Sequence, residues 1–132
     1  MIFESVDQSR TPREVLSEGG RKFLRFITSD FGQQMFRICV AESERFPEIG
    51  REFFRSGPQN MQNKLAGYFA LAVERGELRM EDPYLAAFQF GELCKADIWM
   101  KVTFNMMDRV SEDDIDRIVD GAVDVFLGYY GT

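Results

Sequence analysis

A chain of 132 residues and 15.3 kDa fits one domain with one core, and its 45% hydrophobic content, with thirteen Phe, four Tyr and one Trp, separates it from aromatic-poor disordered chains. A net charge of −6 and a pI near 4.7 argue against direct DNA binding by this chain, because phosphate neutralisation needs a basic face. The absence of any histidine excludes Ser-His-Asp and Cys-His catalysis, His-containing zinc sites and the Glu-x-x-His pair of di-iron bundles, so the chain reads as a non-enzyme without cofactor or metal.

Punctuation divides the sequence into five helical blocks behind a short stub. Thr11-Pro12-Arg13-Glu14 joins a cap, a proline suited to the first helical position and a glutamate that closes a capping box, and predicts a helix from Pro12 to Thr28. Val15, Leu16, Gly19, Phe23 and Ile27 give that helix one buried face. Ser29 and Asp30 offer the next cap, and Phe31, Met35, Ile38, Cys39 and Phe46 mark the apolar stripe of a second helix that stops at Pro47. From Pro47 the helical period continues through Ile49, Phe53, Phe54, Met61, Leu65, Tyr68, Phe69 and Ala72 to Gly76, and Gly57-Pro58 is expected to kink or briefly break it.

Asp82-Pro83 opens a fourth element, predicted as one helix from Pro83 to Phe104. Ala87, Gly91, Cys94, Ile98 and Val102 share one face, and apolar residues occupy the rest of its circumference. A helix apolar on all sides needs cover on all sides, and a second copy of the chain is the economical source. Ser111 then caps a strongly amphipathic last helix, in which Ile115, Ile118, Val119, Ala122, Val125, Phe126 and Tyr129 oppose Asp113, Asp116, Asp120 and Asp124. The acids from Glu112 to Asp116 lack the glycine turn of a calcium loop and read as a solvated helix start. Cys39 and Cys94 lie far apart inside helical patterns and read as reduced thiols in the core. No apolar run approaches the ~20 residues that span a bilayer, and the first residues carry acids where a secretory signal has a basic start, so a soluble, cytoplasmic protein is expected. The fold class is all-α, five to six helices in a single domain over residues 1–132.

Two stretches carry a family resemblance: Ala41-Glu42-Ser43-Glu44-Arg45-Phe46-Pro47-Glu48-Ile49, and Glu74-Arg75-Gly76-Glu77-Leu78-Arg79 followed by Asp82-Pro83-Tyr84-Leu85-Ala86-Ala87. Together and in this order they resemble the C-terminal, effector-binding and dimerisation domains of TetR-family transcriptional regulators. The resemblance covers roughly Phe23 to Phe104, and the final helix agrees with it in position and type. It implies a homodimer in which the last two long helices form a four-helix bundle across a two-fold axis, and a small effector bound between helices. It also implies that residues 1–10 are the end of a connecting helix, and that the DNA-binding helix-turn-helix domain is absent from this chain, which would meet DNA only through that missing N-terminal part. The chain is then either a fragment or a natural stand-alone domain.

Phe36, Cys39, Met61, Leu65, Tyr68, Phe69, Phe88, Glu92 and Trp99 lie on elements that the resemblance places around its pocket, and are the candidate lining for a small, largely apolar or aromatic effector. Each has a second reading as a packed core residue. Glu92 and Tyr68 interrupt apolar faces and are the candidate polar contacts, Glu92 having its own alternative as an edge residue paired with Lys95. The candidate dimer interface is Ala87, Gly91, Cys94, Ile98 and Val102 with Ile118, Ala122, Val125, Phe126 and Tyr129; intrachain packing is the other reading. The expected function is therefore effector-controlled transcriptional regulation, as a repressor, and the alternative is a helical protein–protein interaction module without a ligand cavity. Carboxylates such as Glu42, Glu92 and Asp97 have no nucleophile beside a base to act on, which leaves an enzyme disfavoured.

Overall fold

The computed structural model describes residues 9–132, so nearly all of the expected connecting helix at residues 1–10 lies outside the described residues. The rest is all-α. Seven α-helices follow one another: α1 (Pro12–Thr28), α2 (Asp30–Ser43), α3 (Pro47–Phe54), α4 (Asn60–Glu74), α5 (Pro83–Leu93), α6 (Ile98–Thr103) and α7 (Glu112–Tyr130). The five blocks of the sequence become seven helices because two of them are interrupted.

Local chemistry sets the boundaries. The Thr11 side chain accepts from the Glu14 amide while Glu14 reaches back to the Thr11 amide, and Ser111 and Asp114 repeat that box at the start of α7. Ser29 is extended, ends α1 and caps α2, its Oγ accepting from the Gly32 amide at 3.0 Å. This one-residue joint explains Gly32: a Cβ there would lie 2.0 Å from the Phe26 carbonyl oxygen.

The core is built by α1, α4, α5 and α7, with α1 packed on α7, α4 on α5, and α5 on α7. Phe69 of α4 stacks on Phe126 of α7 with centroids 5.3 Å apart, and Phe90 of α5 meets the same ring edge-on at 5.5 Å. Burying each of these rings stabilises the fold by roughly 1.5–3 kcal/mol. Gly20 lets α1 come close, since a Cβ at that position would stand 2.9 Å from Val119 Cγ1 and 3.2 Å from Phe90 Cζ. Outside the apolar seam, Arg13 pairs with Asp124, Arg21 with Asp120 and Asp116, and Arg25 with Glu112, an antiparallel set that aligns α1 with α7. These pairs are largely solvated, so each adds little to stability.

Gly57-Pro58 interrupts the α-helix of the third block, as expected, without ending the helical run. A single π-helical turn at Arg55–Gln59 absorbs the proline, whose missing amide cannot serve the α-helical ladder. The fourth block does break, without proline or glycine, and this overturns the expectation of one helix from Pro83 to Phe104. Asp97 adopts φ 66 and ψ −68, and the Ile98 amide donates to the Ala96 carbonyl at 2.8 Å, closing a γ-turn. A non-glycine residue held there costs on the order of 1–3 kcal/mol. Ion pairs from the Asp97 carboxylate to Lys101 at 2.7 Å and to Arg117 at 2.9 Å hold it in place.

That break also corrects the dimer-face reading. Ala87, Gly91, Cys94 and Ile98, with Ile118, Ala122 and Phe126, are buried in the chain's own core. The α1, α4 and α7 helices supply the cover that seemed to require a second copy. A Cβ on Gly91 would lie 3.9 Å from Met61 Cε and Phe23 Cε2, so a large side chain there would disrupt packing within the chain. Val102 is half-buried, and of the ten candidates only Val125 and Tyr129 face solvent, at 61% and 71% exposure.

Candidate ligand site beneath the α2–α3 arm

The helices α2 and α3 form an arm laid across the core. Of α2 only Gly32 and Gln33 are buried, and α3 buries no residue fully. The expected apolar stripe of α2 in fact faces outward, with Phe31, Met35, Ile38 and Phe46 all exposed. The Ser29 joint and the close approach at Gly32 fix the rotation of α2 and turn Gln33, Phe36 and Arg37 inward instead.

Three attachments hold the arm to the core. Phe36 meets Trp99 of α6 edge-on, centroids 5.4 Å apart. Phe54, at the end of α3, stacks on Phe88 of α5 at 5.9 Å. Between α2 and α6 sits a polar clasp: Gln33 Nε2 donates to the Ile27 carbonyl at 2.9 Å and to Thr103 Oγ1 at 3.2 Å, and its Oε1 accepts from Arg37 at 3.2 Å. Arg37 also donates to the Val102 and Thr103 carbonyls at the end of α6, the former already accepting from the Asn105 amide at 3.0 Å.

The nine candidate lining residues separate into three groups. Phe36, Cys39, Met61, Phe88 and Trp99 are half-buried: Phe36 meets Trp99, Phe88 meets Phe54, and Met61 packs against the core beside Gly91. Cys39 is three residues from Phe36 and shares its helical face. Leu65, Tyr68 and Phe69 are instead core residues, 1%, 3% and 0% exposed. The Tyr68 hydroxyl donates to the Arg10 carbonyl at 2.9 Å, and burial pushes the phenol above its ordinary range. Glu92 is exposed and pairs with Lys95 at 3.0 Å, so it takes its edge reading. Lys95 in turn places its ammonium 4.9 Å from the Trp99 ring centroid. Burial raises the Cys94 thiol to about 12 and leaves it inert in the core.

The clasp was missed in the sequence, although Gln33 and Arg37, one turn apart in a helix otherwise rich in apolar residues, carry its signal. Also unforeseen is an open apolar cleft of about 840 Å³ along α3 and the π turn, lined by Ile49, Phe54, Arg55 and Gln59 among others. Phe54 belongs to both this cleft and the aromatic contact with Phe88, and none of the nine candidate residues lines the cleft itself.

The sequence matches the family described as AefR-like transcriptional repressor, C-terminal domain, over residues 14–132. This chain belongs to that family, the C-terminal domains of TetR-type transcriptional regulators. Among solved structures, a protein described as a TetR-family transcriptional regulator from Mesorhizobium loti superposes with a TM-score of 0.84 at 24% identity, over 99% of this chain and 63% of its own. The Flavonoid-responsive Regulator FrrA gives 0.84 at 25% identity over 95% and 63%, and a TetR family transcriptional regulator from Pseudomonas syringae pv. tomato gives 0.73 at 21% over the same shares. The chain thus spans 63% of the length of the structures it resembles. No curated protein sequence matches it significantly. Among the described residues no helix is long and apolar enough to cross a membrane.

Proposed function

We propose that this chain is the effector-binding and dimerisation domain of a cytoplasmic TetR-type repressor, in which a small, largely aromatic molecule binds beneath the α2–α3 arm and controls DNA binding by a helix-turn-helix segment joined to its N-terminal side. The observation that carries the reading is the half-buried layer of Phe36, Cys39, Met61, Phe88 and Trp99. Each is partly shielded and partly open, Phe36 against Trp99 and Phe88 against Phe54, while Met61 packs on the edge of the core; adaptable apolar walls of this kind suit a pocket. The responsiveness of FrrA to flavonoids supports a planar aromatic ligand. Ligand binding would act by favouring one of two arrangements of the dimer, which requires unequal affinity for the two.

Dimerisation finds support in what the core leaves uncovered on α5 and α7. The Tyr130 hydroxyl donates to Gln89 of α5, so these helices share a face, and Leu85, Val125 and Tyr129 on it are 52%, 61% and 71% exposed. Trp99 is the single tryptophan, which makes binding directly readable. Titration with a flavonoid such as naringenin should quench Trp99 emission in the parent chain and fail to do so in Phe36→Ala; equal quenching in both would refute the site. Sedimentation should find a dimer at micromolar concentration that Val125→Glu converts to monomer, and a monomeric parent would refute the dimer.

A further inference from the structure

We infer that the α2–α3 arm is a hinged flap that opens as a unit about the Ser29 joint and the π turn at Arg55–Gln59, and that the Gln33–Arg37 clasp on the end of α6 is its latch. This rests on the site beneath the arm being the ligand site, and it adds how that site is opened.

Three independent observations converge. First, the arm from Asp30 to Phe54 is anchored by burial only at its base, at Gly32 and Gln33, so lifting it exposes little fully buried apolar surface. Second, both of its ends have the form of hinges. At one, a single extended residue separates two helices; at the other, Gly57 has open space around it and Pro58 sits in a π turn, a place where the hydrogen-bond ladder is already rearranged. Third, the contacts that hold the arm down are few and of a kind that can be broken and remade: two ring pairs further along it and a set of hydrogen bonds near its base. The clasp uses the carbonyls of Val102 and Thr103, which water satisfies equally well once the arm lifts. Gln33 is the one buried polar residue among the described residues, and opening would hydrate it. With the flap closed the arm's rings cover part of Trp99 and Phe88, and a ligand would replace those rings as their partner.

The chain carries its own reporters. Cys39 rides on the arm's inner face, half-buried, whereas Cys94 is enclosed in the core. A thiol reagent such as 5,5′-dithiobis(2-nitrobenzoate) therefore labels Cys39 at a rate that opening of the arm raises, and Cys94 only on global unfolding. In the parent Cys39 should label while Cys94 stays protected. Arg37→Ala removes the charge-assisted bonds of the latch and should speed Cys39 labelling by roughly tenfold, the worth of one such bond, with a red shift of Trp99 emission. Gln33→Ala should act in the same direction. An unchanged Cys39 rate in both variants would overturn the flap, and so would Cys94 reacting in step with Cys39, because the arm would then open only with the core. Adding naringenin separates the two readings. Faster labelling in the latch variants without protection of Cys39 by naringenin keeps the flap and removes the ligand site; protection with no effect of the latch variants does the reverse.

Discussion

The arm and the core use the same aliphatic and aromatic alphabet to different ends. In the core, Phe69, Phe90 and Phe126 interlock and are at most 2% exposed, whereas Phe36 and Phe54 in the arm each touch one ring across a joint and stay open to solvent on their other side. Composition does not make the difference; closure does. Four helices around one seam can cover each other completely, and a two-helix arm on a flat side cannot. A domain that must be both stable and responsive can place the two properties in separate regions, with stability in the seam and response where contacts are sparse.

That division can be broken by mutation, and the largest effect should fall in the seam. Phe69→Ala should lower the unfolding free energy by about 3–5 kcal/mol, and Phe36→Ala by about 1 kcal/mol, in denaturant titrations of both variants. Equal losses would erase the distinction between core and arm. Gly20→Ala comes next at about 1–3 kcal/mol, because its Cβ has no room against Val119 and Phe90; a neutral result would mean that α1 sits further from α7 than described.

Acid should act at the boundary between the two regions. Hydrogen bonds from Lys101 and Arg117 hold the Asp97 carboxyl below its ordinary value of 3.8. A lowered folded value means that the folded state releases this proton more readily, so the stabilisation is complete above the ordinary value and is withdrawn as pH falls through the lowered one. Between pH 6 and pH 3 the parent should therefore lose more thermal stability than Asp97→Asn, in which the step is absent; identical slopes would show that the γ-turn does not depend on its charge. The smallest effect belongs to Glu92→Gln. An exposed residue paired only with Lys95 should change stability by less than about 0.5 kcal/mol and leave Trp99 quenching by naringenin unaltered.

The helix starts were readable because caps act locally: Thr11 with Glu14, Ser29, Asp82-Pro83 and Ser111 with Asp114 each announce a helix that is present. The γ-turn at Asp97 was not readable, since Ala96 and Asp97 carry no breaking signal and the turn is held by Arg117, twenty residues away. The same distinction runs through the site. Phe36 and Trp99 could be named from periodicity, and they do meet. The clasp depends on the rotation of α2, which the backbone contact at Gly32 decides and no hydrophobic pattern records. The inward face of α5 was misassigned to a partner because a helical wheel shows how much apolar surface a helix has and not which neighbours already cover it.

The ion pairs between α1 and α7 have one more consequence. The carboxylates at Glu112, Asp116, Asp120 and Asp124 recur every fourth residue, and Arg13, Arg21 and Arg25 follow the same interval with a gap at Ser17. Such a track is nearly degenerate: sliding α1 by one turn, about 5.4 Å, would pass each arginine to the adjacent carboxylate with little change in charge pairing. Electrostatics thus aligns the two helices side by side without choosing their register. The choice falls to the notch at Gly20, where Val119 fits and a neighbour one turn away would have to fit as well.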